Sequence, residues 1–306
     1  MLVLIAGVTG NIGHKLVQSL TERGHLVRGL GRSPQKLCPE TLAALERLET
    51  CSGYDDIPAL DRACAGVDAV VCAYNMDPRL QLDGQLLLLR AAERAGVNIY
   101  VAASWNGDWS KLGLGKHEAY DAYVSFRHHV EMTSPIRPIY MYIGIFAETM
   151  FSMFGHGHVG PDMPLVWDSD TKTINIWGTG HTTWFWTTEM DAAEFTAEVI
   201  QRDDAAQGGF WNLCSGAHSL REIAQIYERE RGIRVKLNIQ GSIDELEAKA
   251  LNARKNGDKR NYHLYTGLFY QLYASNGDLN FRKLDNDRLQ VSGTSIEEFL
   301  RQHPQI

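Results

Sequence analysis

Apolar residues along this chain fall into short unbroken runs separated by stretches with helical spacing, and the alternation starts at once. Leu2-Val3-Leu4-Ile5-Ala6 is the first run, and after a glycine-rich turn the stretch His14 to Leu20 has helical character. Strand-like runs recur at residues 25–30, 48–51, 68–73, 98–103 and 139–143. Between them lie helical stretches at residues 34–48, with Leu37, Leu42, Leu45 and Leu48 on one face, then one ending near Ala65-Gly66, one at 80–95 closed by Gly96, and one at 120–133. Unbroken apolar runs mark strands buried on both faces, and intervening helices mark parallel crossovers. The pattern predicts an α/β fold with a doubly wound parallel Rossmann sheet.

The second half has a different texture. Residues 173–187 alternate as a half-buried strand does, residues 189–200 read as a helix, and Phe210 to Cys214 as another strand. Ser219 with Glu222 three residues on predicts a capping box for a helix at 220–231 that stops at Gly232. The remainder predicts a short strand from Ile233, a helix holding Glu245 and Glu247, a Tyr-rich helix at 262–273 and a last helix at 295–301.

The turn after the first strand reads Gly7-Val8-Thr9-Gly10-Asn11-Ile12-Gly13. Strand, glycine turn and helix in that order suit a dinucleotide pyrophosphate: glycine lets the backbone approach, and the helix N-terminus offers free N–H groups. The second strand ends in Gly31-Arg32-Ser33-Pro34, where an acidic residue would bind a ribose 2′-hydroxyl. Arg32, with Lys36, suits a 2′-phosphate instead, so the expected cofactor is NADP(H).

Ligands of such a sheet sit beyond the carboxyl ends of its strands. That rule selects Gly7, Thr9, Gly10, Asn11, Ile12, Gly13, Arg32, Lys36, Tyr54, Ala73, Tyr74, Asn75 and Ser104 as cofactor-binding candidates. The expected division is an NADP(H)-binding Rossmann domain at residues 1–150, completed by 187–216, with a smaller, mostly helical substrate-binding region at 151–186 and 217–306. Six of the seven tryptophans lie between Trp105 and Trp186, and Phe146, Met150, Phe151, Met153 and Phe154 follow the sixth strand. Large apolar side chains in a Gly- and Pro-containing segment are what a pocket for a bulky apolar ligand needs. Trp105, Trp109, Phe146, Met150 and Phe154 are therefore the substrate-binding candidates; for Trp177, Trp184 and Trp186 core packing is the expectation.

Composition narrows the classes. A net charge of −7 over 306 residues with no basic block excludes a nucleic-acid binder that works by phosphate neutralisation. Five widely spaced cysteines, Cys38, Cys51, Cys64, Cys72 and Cys214, form no CxxC pair and imply neither disulfides nor a zinc site. The opening apolar run is far short of the roughly 20 residues that span a bilayer. The expectation is a cytoplasmic protein, monomer or homodimer, without nucleic-acid or membrane partners. His156-Gly157-His158 could begin a metal site, but no companion motif accompanies it and no metal is expected.

GVTGNIG, GRSPQK, Gly66-Val67-Asp68-Ala69-Val70-Val71, Phe126 to Glu131 and Trp177-Gly178-Thr179-Gly180 before Asp191 together resemble the NmrA-like and isoflavone-reductase-like branch of the atypical short-chain dehydrogenase/reductases. The resemblance covers about the first 200 residues. It implies an NADPH-dependent enzyme reducing C=C, C=N or C–O bonds of apolar metabolites, with a lysine on the helix before strand six or a Tyr-x-x-x-Lys pair. This chain departs from both devices: Tyr120 is followed four residues on by Val124, Tyr123 by Arg127, and Tyr123 stands where the reductase lysine is expected. Tyr120, Tyr123, Ser104 and Lys116, the last adjoining His117, remain as candidates for proton donation or carbonyl binding. An unassisted phenol with a pKa of about 10 is a poor acid at pH 7. The departure tilts the expected chemistry toward hydride transfer to C=N or C=C, or toward a redox-assisted isomerisation or cyclisation in secondary-metabolite tailoring. The competing reading is a non-catalytic NADP(H)-sensing regulatory protein.

Overall fold

The computed structural model describes residues 1–157, 165–258 and 260–306. Its first half alternates strand and helix: β1 (Leu2–Ala6), α1 (Asn11–Glu22), β2 (Leu26–Gly31), α2 (Pro39–Ala44), β3 (Arg47–Thr50), α3 (Ile57–Cys64), β4 (Ala69–Cys72), α4 (Gln85–Arg94), β5 (Ile99–Asn106), α5 (Glu118–Thr133) and β6 (Ile139–Tyr142). The chain then runs through β7 (Ile145–Phe146), α6 (Ala147–Met150), β8 (Trp167–Asp168), β9 (Thr173–Trp177), β10 (Thr183–Thr187), α7 (Glu189–Ile200), β11 (Gly209–Asn212) and β12 (Gly216–Ser219). It closes with α8 (Leu220–Arg231), β13 (Lys236–Gly241), α9 (Ile243–Asn256), α10 (His263–Ser275) and α11 (Ile296–Gln302).

Seven strands form one sheet in the order β3-β2-β1-β4-β5-β6-β11, every neighbouring pair parallel. The chain builds outward from β1 to β3, then returns to β4 on the other side, so the crevice where strand order reverses opens beyond β1 and β4. Helices α3, α4 and α5 cover one face through Leu60, Leu88, Leu89, Phe126 and Val130. Helices α1 and α7 cover the other through Leu16, Val17, Leu20, Phe195 and Val199. The α/β, doubly wound expectation is borne out.

Two three-stranded sheets, β12-β10-β7 and β13-β9-β8, sit beside the main one. Trp184 and Trp186 are buried there with Trp167, Ile223, Tyr227 and Phe299, as core packing predicts, while Trp177 is half-buried and donates its indole N–H to Gln271. The Ser219 and Glu222 capping box forms in both directions, and Gly232 ends α8 at φ +66°.

Local departures have local causes. Residues 34–48 are not one helix: a turn at Pro34–Lys36 is followed by α2, capped by Cys38 with Pro39 at its first position, and Leu45 is already extended. Leu45 and Leu48 thereby turn onto the sheet, over Gly29. The helix expected at 80–95 opens with a π turn at Leu80–Gly84 before α4, with Gln81 and Gln85 buried in it. Between β5 and β6 the register slips after Ala102, and the buried Ser104 hydroxyl fills the gap, donating to the Ala102 carbonyl at 3.0 Å and accepting the Met141 N–H at 2.7 Å.

Gly144 carries the chain from β6 into β7 at φ +71°, directly against the backbone of Phe185, whose carbonyl a Cβ would strike. Gly144→Ala is expected to lower stability by more than about 1 kcal/mol, because both the dihedral and the space exclude a side chain. Chemical unfolding of the variant with an unchanged midpoint would contradict this.

Candidate active site

The crevice beyond β1 and β4 is an open cleft lined by Gly7, Thr9, Gly10, Gly31, Arg32, Cys51, Gly53, Tyr54, Ala73, Tyr74 and Asn75, with Leu30 and Leu80. The structure thus brings together most of the residues selected from the strand ends. Gly7 has φ +89°, and a Cβ on it would lie 2.5 Å from the Ala73 carbonyl oxygen. A Cβ on Gly13 would lie 2.5 Å from the Gly7 oxygen. The two glycines let α1 start hard against the ends of β1 and β4.

That start is left open to an anion. Gly10, the residue before α1, provides no side-chain cap, and the first turn holds no acidic residue. By contrast α3, α7, α8, α9 and α11 each begin under a side-chain cap from Asp or Ser or Thr. Free N–H groups and the positive end of the helix dipole point where a phosphate would sit. Arg32, exposed at the end of β2, lines the same cleft and makes no ion pair among the described residues. Lys36 is exposed on the following turn. The loop after β4 is fixed from below: the Gln81 carboxamide donates to the carbonyls of Tyr74 and Asn75 at 3.2 and 2.8 Å. A glycine turn packed hard against the strand ends, an uncapped helix and an unpaired guanidinium fit a dinucleotide with a 2′-phosphate.

The candidates for proton transfer are placed less favourably. Ser104 is buried with its hydroxyl engaged in the slip between β5 and β6, so it does not face a ligand; the register shift is the reason. Lys116 stays in solvent on its loop; its backbone carbonyl, accepting from Arg254 and Tyr273, is what ties it down. Tyr120 and Tyr123 are buried on α5, and the Tyr120 hydroxyl donates to Asn106 Oδ1 at 2.6 Å. Burial pushes both phenols well above their ordinary pKa, with neighbouring tyrosines adding to it. His117 caps α5, its Nδ1 accepting the Ala119 N–H at 3.2 Å, and packs on the rings of Tyr120 and Tyr270. Burial and the charge of Arg254 bring its pKa down to about 3, so it is neutral. None of these groups is a ready acid at pH 7.

The apolar candidates separate. Trp105 is half-buried beside the cleft-facing end of β5, its indole N–H bonded to Thr196 on α7. Phe146 is half-buried on β7. Trp109 instead belongs to the core, wholly buried against Tyr123, Tyr140 and Tyr142 because its short turn folds back over the sheet. Met150 is likewise buried, in the cluster around Trp167, and Phe154 stands 90% exposed. Of the histidine pair, His158 lies outside the described residues, as do residues 159–161. Among the described residues no group of three or more His, Cys, Asp or Glu could hold a metal. No described helix is long and apolar enough to cross a membrane.

One cluster at the start of α1 has no precursor in the sequence pattern. Buried Glu189 at the first turn of α7 holds Lys15 of α1 at 2.9 Å and His156 at 2.8 Å. Burial alone would raise its pKa, but the bond from His156 and the charge of Lys15 keep it below the usual carboxylate value. Behind it Glu148 of α6 accepts the Glu189 backbone N–H with both oxygens, at 3.0 and 3.1 Å. Burial, then the charge of Glu189, pushes the Glu148 carboxyl up to about 7. These residues lie up to 174 positions apart, Lys15 to Glu189, and no local spacing could have joined them.

Comparison with known proteins places the chain. The NmrA-like family model matches residues 1–247. A bifunctional pinoresinol-lariciresinol reductase of Linum usitatissimum is 24% identical, over 96% of this chain and 93% of its own. Photosystem II assembly factor Ycf39 of Synechocystis is 24% identical over 78% of this chain and 70% of its own. Leucoanthocyanidin reductase of Vitis vinifera, solved as a binary complex with NADPH, superposes with a TM-score of 0.76 at 17% identity, each chain covered to 99%. The structural likeness is one of fold.

Glu148 sets a pH dependence whose sign follows from the raised pKa. Its unfolded carboxyl ionises near 4.5 and its folded carboxyl near 7, so ionising it in the fold costs stability as pH rises between those values. Glu148→Gln retains an acceptor for the Glu189 N–H without the charge. We expect the melting temperature of the variant to exceed that of the wild type by roughly 2–4 °C at pH 8 and to match it at pH 5. Equal differences at both pH values would contradict the assignment.

Proposed function

We propose that this chain, which belongs to the NmrA-like family, is an NADP(H)-dependent oxidoreductase acting on a bulky apolar small molecule. The observation that carries the reading is the cleft over β1 and β4, with its glycine cradle, the uncapped start of α1 and the unpaired Arg32. Bound there, NADP(H) supplies or accepts a hydride. The backbone of residues 9–13 would hold the pyrophosphate, Arg32 with Lys36 the 2′-phosphate, Tyr54 the adenosine half, and Ala73, Tyr74 and Asn75 the nicotinamide side. Residues 1–150 with 187–216 form the cofactor-binding part in this reading, and 151–186 with 217–306 the substrate side, where Trp105 and Phe146 present apolar surface. The Linum and Vitis relatives, reductases by name, the second solved with NADPH, support it.

The geometry also bears on the chemistry. Hydride transfer needs the donor and acceptor carbons held in register, and a general acid only where the product must gain a proton. Tyr120 and Tyr123 keep their protons tightly, Ser104 is engaged and Lys116 is in solvent. We therefore read the acceptor as one that needs little protonation, a cationic C=N before a neutral C=C, or as the intermediate of a redox-assisted isomerisation or cyclisation. The same lack of a free acid favours a second reading, a protein that binds NADP(H) and signals to a partner without turnover; one relative is an assembly factor.

Arg32→Ala tests the shared premise. NADPH affinity measured by fluorescence titration should fall about tenfold, the loss of one charge-assisted pairing, while NADH affinity stays within about twofold. Equal losses for both cofactors would contradict the 2′-phosphate assignment. Consumption of NADPH with an apolar metabolite separates the enzyme from the sensor; binding without consumption, together with cofactor-dependent capture of a protein partner, supports the sensor.

A further inference from the structure

We propose that His156 is a ligand of the cofactor's diphosphate, brought to the glycine turn from a loop 145 residues away and oriented by Glu189; the inference rests on the dinucleotide reading above. Three observations converge on it. The loop is tied to the start of α1, since Asn11, the first residue of that helix, donates its side-chain N–H to the Gly155 carbonyl at 2.9 Å. The imidazole lies next to that tie, with Nδ1 3.2 Å from Asn11 Nδ2. The same Nδ1 is 2.8 Å from Glu189 Oε1, the shorter and charge-assisted contact, so Nδ1 donates there and Asn11 directs its hydrogen to Gly155. The ring is thus held by one nitrogen. Its Nε2 has no partner among the described residues.

The charges around the ring set its task. Glu189 of α7 faces it directly, Glu148 of α6 stands behind Glu189, Lys15 approaches from α1, and His303 after α11 lies within electrostatic reach. The bond to Glu189 raises the His156 pKa, against burial and the charge of Lys15. Lys15 and, wherever it is protonated, His156 share the one Glu189 carboxylate at the positive end of α1. Cations are disfavoured at a helix N-terminus, and an anion seated there reverses the sign. The diphosphate is the anion the proposed cofactor brings, and Nε2–H is the donor left for it. A second consequence follows by linkage: binding is tighter where His156 is protonated and draws in a proton where it is not.

The test is calorimetric titration of the full-length chain with NADP+ from pH 6 to pH 9, in buffers of differing ionisation heat, for wild type, His156→Gln and His156→Lys. At pH 6 His156→Gln should bind about tenfold more weakly, converging on wild type by pH 9, and should take up fewer protons on binding. His156→Lys should recover affinity and stay ahead of wild type at pH 9. The 2′-phosphate titrates equally in all three proteins, and repeating the series on a Glu148→Gln background removes the carboxyl that titrates near 7 in the same window, so the remaining differences isolate residue 156. Parallel curves and equal proton uptake for wild type and His156→Gln overturn the inference, while the Arg32→Ala result leaves the cofactor reading standing. A wild type that binds no dinucleotide at any pH overturns both.

Discussion

At Gly7 the backbone of the first turn passes so close to the end of β4 that the Ala73 carbonyl occupies the place a Cβ would take. Gly13 repeats the constraint one turn into α1, against Gly7 itself. These two approaches draw the helix start into the crevice where the strand order reverses, and everything at the site is arranged around that start. Were either position filled, α1 would stand off the sheet and its free N–H groups would no longer face the cleft. The parallel sheet, buried on both faces, is what makes the position of that turn reproducible.

The electrostatics follow from the same point. An uncapped helix end has a positive field, and the chain leaves it without an acidic residue in the first turn. Arg32 adds an unpaired charge at one end of the cleft. At the other side Lys15 and His156 are balanced on Glu189, itself restrained by Glu148. The cleft thus carries an unpaired guanidinium and an uncapped helix start, in a chain whose net charge is −7. Around the candidate proton donors on α5 the character changes to buried phenols, a neutral His117 and aromatic carbon.

The cleft over β1 and β4 was legible in the sequence because its information is local: a strand, a seven-residue glycine motif and a helix lie in one stretch, and Arg32 follows the next strand. The substrate side was not. Ser104 reads as a free hydroxyl at a strand end until the register slip between β5 and β6 claims it. Trp109 follows the ligand-facing end of β5, yet its turn folds it into the core. Pro39 restarts a helix that the leucine spacing extended unbroken to Leu48. The Lys15, Glu189 and His156 cluster is made by packing α1 against α7 and by a loop between distant elements, and pairings of that range leave no periodicity to read.

In the function proposed for this cleft, the glycine turn and Arg32 select a dinucleotide carrying a 2′-phosphate. Direct titration of the wild-type chain with NADP+ and with NAD+ under one buffer and salt condition tests it most simply. NADP+ should bind at least about tenfold more tightly, the contribution of one charge-assisted phosphate contact. Equal affinities, or a preference for NAD+, would contradict it.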